Sequence, residues 1–442
     1  MRTDLKIKKY PKKYWLVPII TFIAAILIQF FLQDLLYNKS IEVIVKTQNR
    51  LNDALKCDGS DKKCAARDII FWVFYALTGN YFYFVFLGLI YNFVNVYKAF
   101  VLALSIYIGN LVSALMGLIY HAPRPFMVNY NIVPYIKVGE WGQPNSSLIV
   151  AIAFNCTLYK VIAKHRPLKG KVCAKIFIGA ILFIYCAIVT LIIFAGGMIT
   201  FDQMIVSILL GITVYLAMFL IFKIKVNNAA QFYGIIRSRF IYYFVLNLVL
   251  IIFLVILYRY INYEEDRSYY SKHLKKQFRR FNLNYIDENF FLSFTLSEGT
   301  FTNALCYLSN IIAVIALKIE MIITYDKDFD SWKKDNFDDK KATQSNSFGL
   351  LGEYKAKRIT QWNHTNFFKT LVRCLICLVL SLAPLLLFLI PITKIPTIIR
   401  FLLFSFLLYC YYSFAIFYLF KKIYIFLGLN NKVFVGSSYD DN

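Results

Sequence analysis

Two short stretches hold the residues of this 442-residue chain that could do chemistry. One, YHAPRPFMVNYNIVPYIKVGEWGQPNSS over residues 120–147, contains His121, Arg124 and the run Asn145-Ser146-Ser147; the other, FAGGMITFDQMIVSILLG over residues 194–211, contains Asp202 and Gln203. An arginine at the end of an apolar run can neutralise a phosphate, and a histidine three residues earlier can face the same pocket as an acid or base. Each residue also has a plainer use. Arg124 with Pro125 can end a helix and touch lipid phosphate, and His121 can stand at a membrane interface. Asn145, Ser146 and Ser147 can cap a helix with their side-chain oxygens. Asp202 can cap likewise or pair with Arg124. The other histidines, His165, His273 and His364, fall in segments away from these stretches. No metal site is expected. The CxxC pair Cys374 and Cys377 lies inside an apolar run, where packing explains it better than metal or redox chemistry.

The elements that must position these residues are membrane helices. The chain is 59% hydrophobic and 18% aromatic, with a mean hydropathy of +0.57, well beyond soluble globular chains. A bilayer-spanning helix needs about twenty consecutive apolar residues. The chain offers about ten such runs, at residues 14–36, 69–94, 100–120, 146–162, 176–194, 201–222, 240–257, 301–325, 367–390 and 398–419. They are apolar on every face, unlike the alternating segments of a membrane barrel. The expected fold class is therefore all-α, a polytopic membrane helix bundle. Pro391 and Pro396 break the chain between the last two runs. The first run lacks a cleavage site and reads as a signal anchor.

The formal charge is +24, from 49 Lys and Arg against 25 Asp and Glu. Most of the excess flanks the apolar runs, as at Lys6, Lys8, Lys9, Lys12 and Lys13, at Lys164, Arg166, Lys169 and Lys171, and at Lys421 and Lys422. Basic flanks of this kind anchor helices to anionic headgroups, so no nucleic-acid partner is expected. An even number of spans with a basic N-terminus places both termini on the cytoplasmic side or its equivalent. Cys57 and Cys64, in the first outside loop, could form a disulfide in an oxidising compartment.

Arg124-Pro125, then Pro144-Asn145-Ser146-Ser147, then the framework Gly197, Thr200 and Gln203 resemble in order and helix placement the three signatures of the type 2 phosphatidic acid phosphatase superfamily. Those signatures read KxxxxxxRP, PSGH and SRxxxxxHxxxD, with some members reading SRxxxGxHTxxQ in the third. The resemblance implies a six-helix core over residues 1–226. It would be followed by two further spans with a charged loop (227–325), a second charged loop (326–366), and a C-terminal helix pair and tail (367–442).

In that family a histidine of the third signature attacks phosphorus, a histidine of the second protonates the leaving oxygen, and Lys and Arg neutralise the phosphate. Carried over residue by residue, the lysine position is Gly117, the acid is Ser147, the Ser-Arg pair is Ile192 and Ile193, and the nucleophile is Ile199. Arg124 and the orienting Gln203 remain. The resemblance thus implies a pseudophosphatase with no cofactor. Arg124, Asn145, Ser146 and His121 are its phosphate- or lipid-binding candidates, and membrane lipids and protein subunits of a larger membrane assembly are its partners. The open alternatives are an active lipid-phosphate or dolichyl-diphosphate phosphatase and a transporter. An endomembrane such as the ER and the mitochondrial inner membrane both fit.

Overall fold

The structure, a computed structural model, describes residues 15–55, 69–70, 73, 76–92, 96–129, 131–132, 141–163, 171–225, 229–264, 296–321, 367–384 and 406–429. Cys57, Cys64, His165, His273, His364, Pro391, Pro396 and all of the 326–366 loop lie outside the described residues. The helices are α1 (Leu16–Ala54), α2 (Asn80–Tyr91), α3 (Val96–Tyr120), the single turn α4 (Pro125–Val128), α5 (Ser146–Ala163), α6 (Val172–Ala195), α7 (Phe201–Lys225), α8 (Ala229–Glu264), α9 (Leu296–Met321), α10 (Phe367–Leu382), α11 (Leu408–Phe414) and α12 (Phe420–Phe426). Residues Ala415–Leu419 wind as a π-helix between the last two. No strand occurs among the described residues.

Among the described residues, seven helical stretches are long and apolar enough to cross a membrane. The chain has the architecture of a multi-pass membrane protein, and its surface agrees. Phe30 and Phe31 of α1 are 72% and 76% exposed, Phe183 of α6 is 74% exposed and Ile241 of α8 is 75% exposed. Rings and aliphatic chains displayed this way suit hydrocarbon, not water.

Helix α3 is the axis of the bundle. It packs against α2, α5, α7, α8 and α9, while α7 packs against α1 and α5, and α10 lies on α2. The C-terminal helices therefore join the same bundle. Polar side chains, roughly one per helix, fasten them. Asn80 Nδ2 donates to Asn110 Oδ1 at 2.8 Å, Tyr107 and Ser413 share a hydroxyl bond of 2.6 Å, and the Tyr243 hydroxyl donates to Asn310 Oδ1 at 2.6 Å. Asn310 in turn donates to Asn247. In hydrocarbon such groups must satisfy one another, and each interhelical bond contributes about 0.6 kcal/mol or more. On α10 the Cys377 thiol is buried beside Ser381 and Gly88, so its CxxC spacing serves packing.

Two elements differ from expectation. The second apolar run is interrupted at Gly79, whose extended backbone starts α2 afresh as a 12-residue helix. Helix α1, at 39 residues, is about 58 Å long, roughly twice the ~30 Å hydrocarbon core. Its second half is built on the spacing Ser40, Ile44, Gln48. These residues are buried one turn apart, while Glu42 and Lys46 form an exposed ion pair on the opposite side.

The antiparallel packing of α3 on α5 and of α5 on α6 biases the positive charge toward one end, although Lys39, Lys46, Arg50 and Arg259 lie at the other. Lys98, Lys160, Lys171, Lys175, Lys318, Lys369, Lys421 and Lys422 all fall at the end where α3 begins. Lys160 lies over the Phe219 ring at 4.7 Å and Lys318 over the Phe240 ring at 3.9 Å, stems along apolar surface and ammonium groups at the rim. The Arg124 and Gln203 stretches lie at the opposite end, where α3 finishes.

Candidate functional site

Helix α3 stops because His121 takes a left-handed backbone, φ 49°, with its N–H still reaching the Gly117 carbonyl at 3.2 Å. Prolines 123 and 125 bracket Arg124. A residue before proline is held extended, and Arg124 sits at φ −74°, ψ 152°, directly ahead of α4. The side chain is thereby turned back into the bundle. It is fully buried, and its Nη1 donates to the Met198 carbonyl at 3.1 Å.

Asn145 caps α5, its Oδ1 accepting the Leu148 N–H at 3.0 Å. The Asn145 N–H donates to Ser207 Oγ at 2.9 Å, and Ser207 Oγ donates to the Gln203 carbonyl at 2.7 Å. Ser113 Oγ donates to the Pro144 carbonyl at 3.1 Å. These bonds stitch α3, α5 and α7 together at one end. Ser146 is buried and Ser147 half-buried.

The connector between α6 and α7 closes through Gly197, whose φ of +70° suits only a residue without a side chain. A Cβ there would also sit 2.5 Å from Ile132 Cγ2. Thr200-Phe201-Asp202-Gln203 then forms one arm of a capping box, in which Gln203 Oε1 accepts the Thr200 N–H at 3.2 Å. The other end of the same amide, Nε2, donates to the Pro123 carbonyl at 3.0 Å. Gln203 and Arg124 meet across Gly142, where a Cβ would lie 3.0 Å from Gln203 Oε1 and 3.1 Å from Arg124 Cγ. The structure thus brings Arg124 and Gln203 together and links Asn145 to them through Ser207. Asp202 makes no ion pair among the described residues; it stands in the first turn of α7.

The positions that the resemblance aligns with the phosphatase signatures are filled. At Gly117 a Cβ would approach Thr300 Cγ2 of α9 to 2.6 Å, so α9 occupies the space a longer residue would need. Ile193 and Ile199 are buried in the apolar core. The overhang of α1 covers the connector from outside, with Gln48 Nε2 donating to the Ala195 carbonyl at 3.0 Å and the Phe201 N–H donating to Ser40 Oγ at 2.8 Å.

Sequence reasoning missed a second set of polar groups. Gln29 and Gln33, one turn apart on α1, are bonded to each other at 2.9 Å, and Gln143 Nε2 donates to Gln29 Oε1. Two glutamines at helical spacing inside an apolar run were the available signal. His121 packs edge-on against Trp141 at 5.3 Å, and the Trp141 N–H donates to Thr300 Oγ1 at 3.0 Å. Among the described residues, the buried side-chain atoms without a hydrogen-bond partner include three in the 120–147 and 194–211 stretches: His121 Nε2, Gln143 Oε1 and Asp202 Oδ1. No group of three or more His, Cys, Asp or Glu side chains suited to a metal occurs among the described residues. Compared with known proteins, the chain matches no family model, no curated protein and no solved structure.

Proposed function

We propose that this chain is a catalytically degenerate phosphatidic acid phosphatase-like membrane protein acting as a structural or lipid-binding subunit of a membrane assembly, in an endomembrane or the mitochondrial inner membrane. The observation that carries the reading is how the retained polar groups are used. Arg124 donates to the Met198 backbone and Gln203 is committed to Thr200 and Pro123. Where attack on phosphorus would need a nucleophile, Ile199 offers only buried hydrocarbon. Such a centre still holds helices α3, α5 and α7 together, but it lacks the groups that would carry a phosphoryl transfer.

A second reading keeps an active phosphatase with His121 as its acid or base, favoured by the open Nε2 of that residue. Phosphate release by the detergent-purified protein from phosphatidic acid, sphingosine phosphate and dolichyl diphosphate separates the two. The expected result is no release above a membrane-protein blank. Release abolished by both Arg124→Ala and His121→Ala would establish the second reading instead. The subunit role is tested by mild-detergent purification, where recovery as a lone monomer would count against it.

A further inference from the structure

We propose that the glutamine run Gln33, Gln29, Gln143 and the open acceptors beside Arg124 bind the headgroup of a neutral lipid bearing a free hydroxyl, entering sideways past α1. The proposal rests on the lipid-binding reading above and names the class of lipid.

Three observations converge. First, buried polar atoms in folded proteins are almost always partnered, so open ones mark places that another molecule completes. Gln143 is fully buried and Asp202 is 1% exposed, yet Gln143 Oε1 and Asp202 Oδ1 have no partner in the structure. Both atoms accept hydrogen bonds. His121 Nε2, also open, can donate or accept. Second, the set disfavours a phosphate. A phosphate brings acceptor oxygens and negative charge to a place where two of the open atoms, Gln143 Oε1 and Asp202 Oδ1, are themselves acceptors, one of them on a carboxyl group. A hydroxyl reverses the match: it donates to Gln143 or Asp202 and can accept from His121.

Third, the open groups have a polar route to the hydrocarbon. The amides run in one direction, Gln143 to Gln29 and Gln29 to Gln33, each donating to the next. Gln29 is buried and Gln33 half-exposed, on the helix whose Phe30 and Phe31 face outward. Water could complete single atoms. A run of amides reaching the lipid-facing flank suits an amphiphile, whose headgroup enters while its chains stay outside.

The test is photocrosslinking in phosphatidylcholine nanodiscs with bifunctional analogues of diacylglycerol and phosphatidic acid, with labelled peptides mapped by mass spectrometry. The expected result is diacylglycerol labelling on peptides containing Gln29 or Gln143, competed by unlabelled diacylglycerol, with phosphatidic acid labelling about tenfold weaker. Gln143→Leu should reduce the diacylglycerol label by about tenfold in protein that still unfolds cooperatively. Labelling of that variant at the native level would overturn the role of the Gln143 acceptor. Preferential labelling by phosphatidic acid would overturn this inference while leaving the lipid-binding reading intact. Labelling by neither probe above a single-span control would overturn both. The wild-type preference is decisive even if Gln143→Leu fails to fold.

Discussion

Gln203 and Pro123 stand 80 residues apart in sequence and are joined by a 3.0 Å bond from the Gln203 amide to the Pro123 carbonyl. One side chain both starts α7, through Thr200, and fixes the loop that aims Arg124. Replacing it with an isosteric apolar residue, Gln203→Leu, removes a cap worth about 1 kcal/mol and leaves a buried carbonyl open at a cost of about 1–3 kcal/mol. We expect a loss of about 2–4 kcal/mol in detergent unfolding. Gln203→Glu keeps an acceptor for Thr200 and should fall between the two. An unchanged unfolding midpoint for Gln203→Leu would refute the latch.

Gly142 is the point where the Arg124 and Gln203 side chains close on the backbone. A methyl there would press on both at 3.0–3.1 Å, and overpacking of this kind costs about 1–3 kcal/mol. Gly142→Ala should therefore destabilise the native chain. It should cost less in a Gln203→Ser background, where the amide has gone. Additive penalties in that double-mutant cycle would show that the close approach is not felt.

Helix positions and the N-cap at Asn145 were legible because they depend on local composition: apolar runs of bilayer length, and a short polar side chain ahead of one of them. The meeting of Arg124 and Gln203 joins residues about 80 positions apart, which only tertiary packing brings together. The overhang of α1 was hidden in a polar segment, although Ser40, Ile44 and Gln48 keep helical spacing. The Asn80–Asn110 and Tyr243–Asn310 bonds could not be seen, since a polar residue in an apolar helix does not declare its partner. Only tertiary packing pairs them.

Writing the phosphatase signature into this chain should fail at one position before the others. Gly117→Lys drives a side chain into α9, where even a Cβ meets Thr300 Cγ2 at 2.6 Å. Ser147→His replaces a half-buried residue and has room to turn. We expect Gly117→Lys to collapse the monodisperse peak in size-exclusion chromatography and Ser147→His to preserve it. Equal yields of the two would show that α9 yields easily at Thr300.

The α1 overhang protects the α6–α7 connector through Gln48 and Ser40. Each bond contributes about 1 kcal/mol, so Ser40→Ala with Gln48→Ala should speed amide exchange across residues 195–201 by roughly tenfold or more. Exchange in the middle of α3 should stay unchanged. If both regions accelerate together, α1 supports the whole bundle instead of covering the connector.

The bias in positive charge predicts an orientation. Positive residues beside membrane helices are retained on the cytoplasmic side, and the end where α3 begins gathers lysines from six helices, α3, α5, α6, α9, α10 and α12. The Arg124 end should then face away from the cytoplasm. Cys173, exposed at the start of α6 between Lys171 and Lys175, reports on the basic end. Asn38, exposed on α1 two residues before Ser40, reports on the other. In a chain whose other cysteines are replaced, a membrane-impermeant maleimide should label Cys173 only from the cytoplasmic side. The variant Asn38→Cys, with Cys173→Ser, should be labelled only from the opposite side. Labelling of both from one side would break the packing directions of α1 and α6. The reverse pair of results would keep the fold and overturn the charge argument, placing the Arg124 end at the cytoplasm.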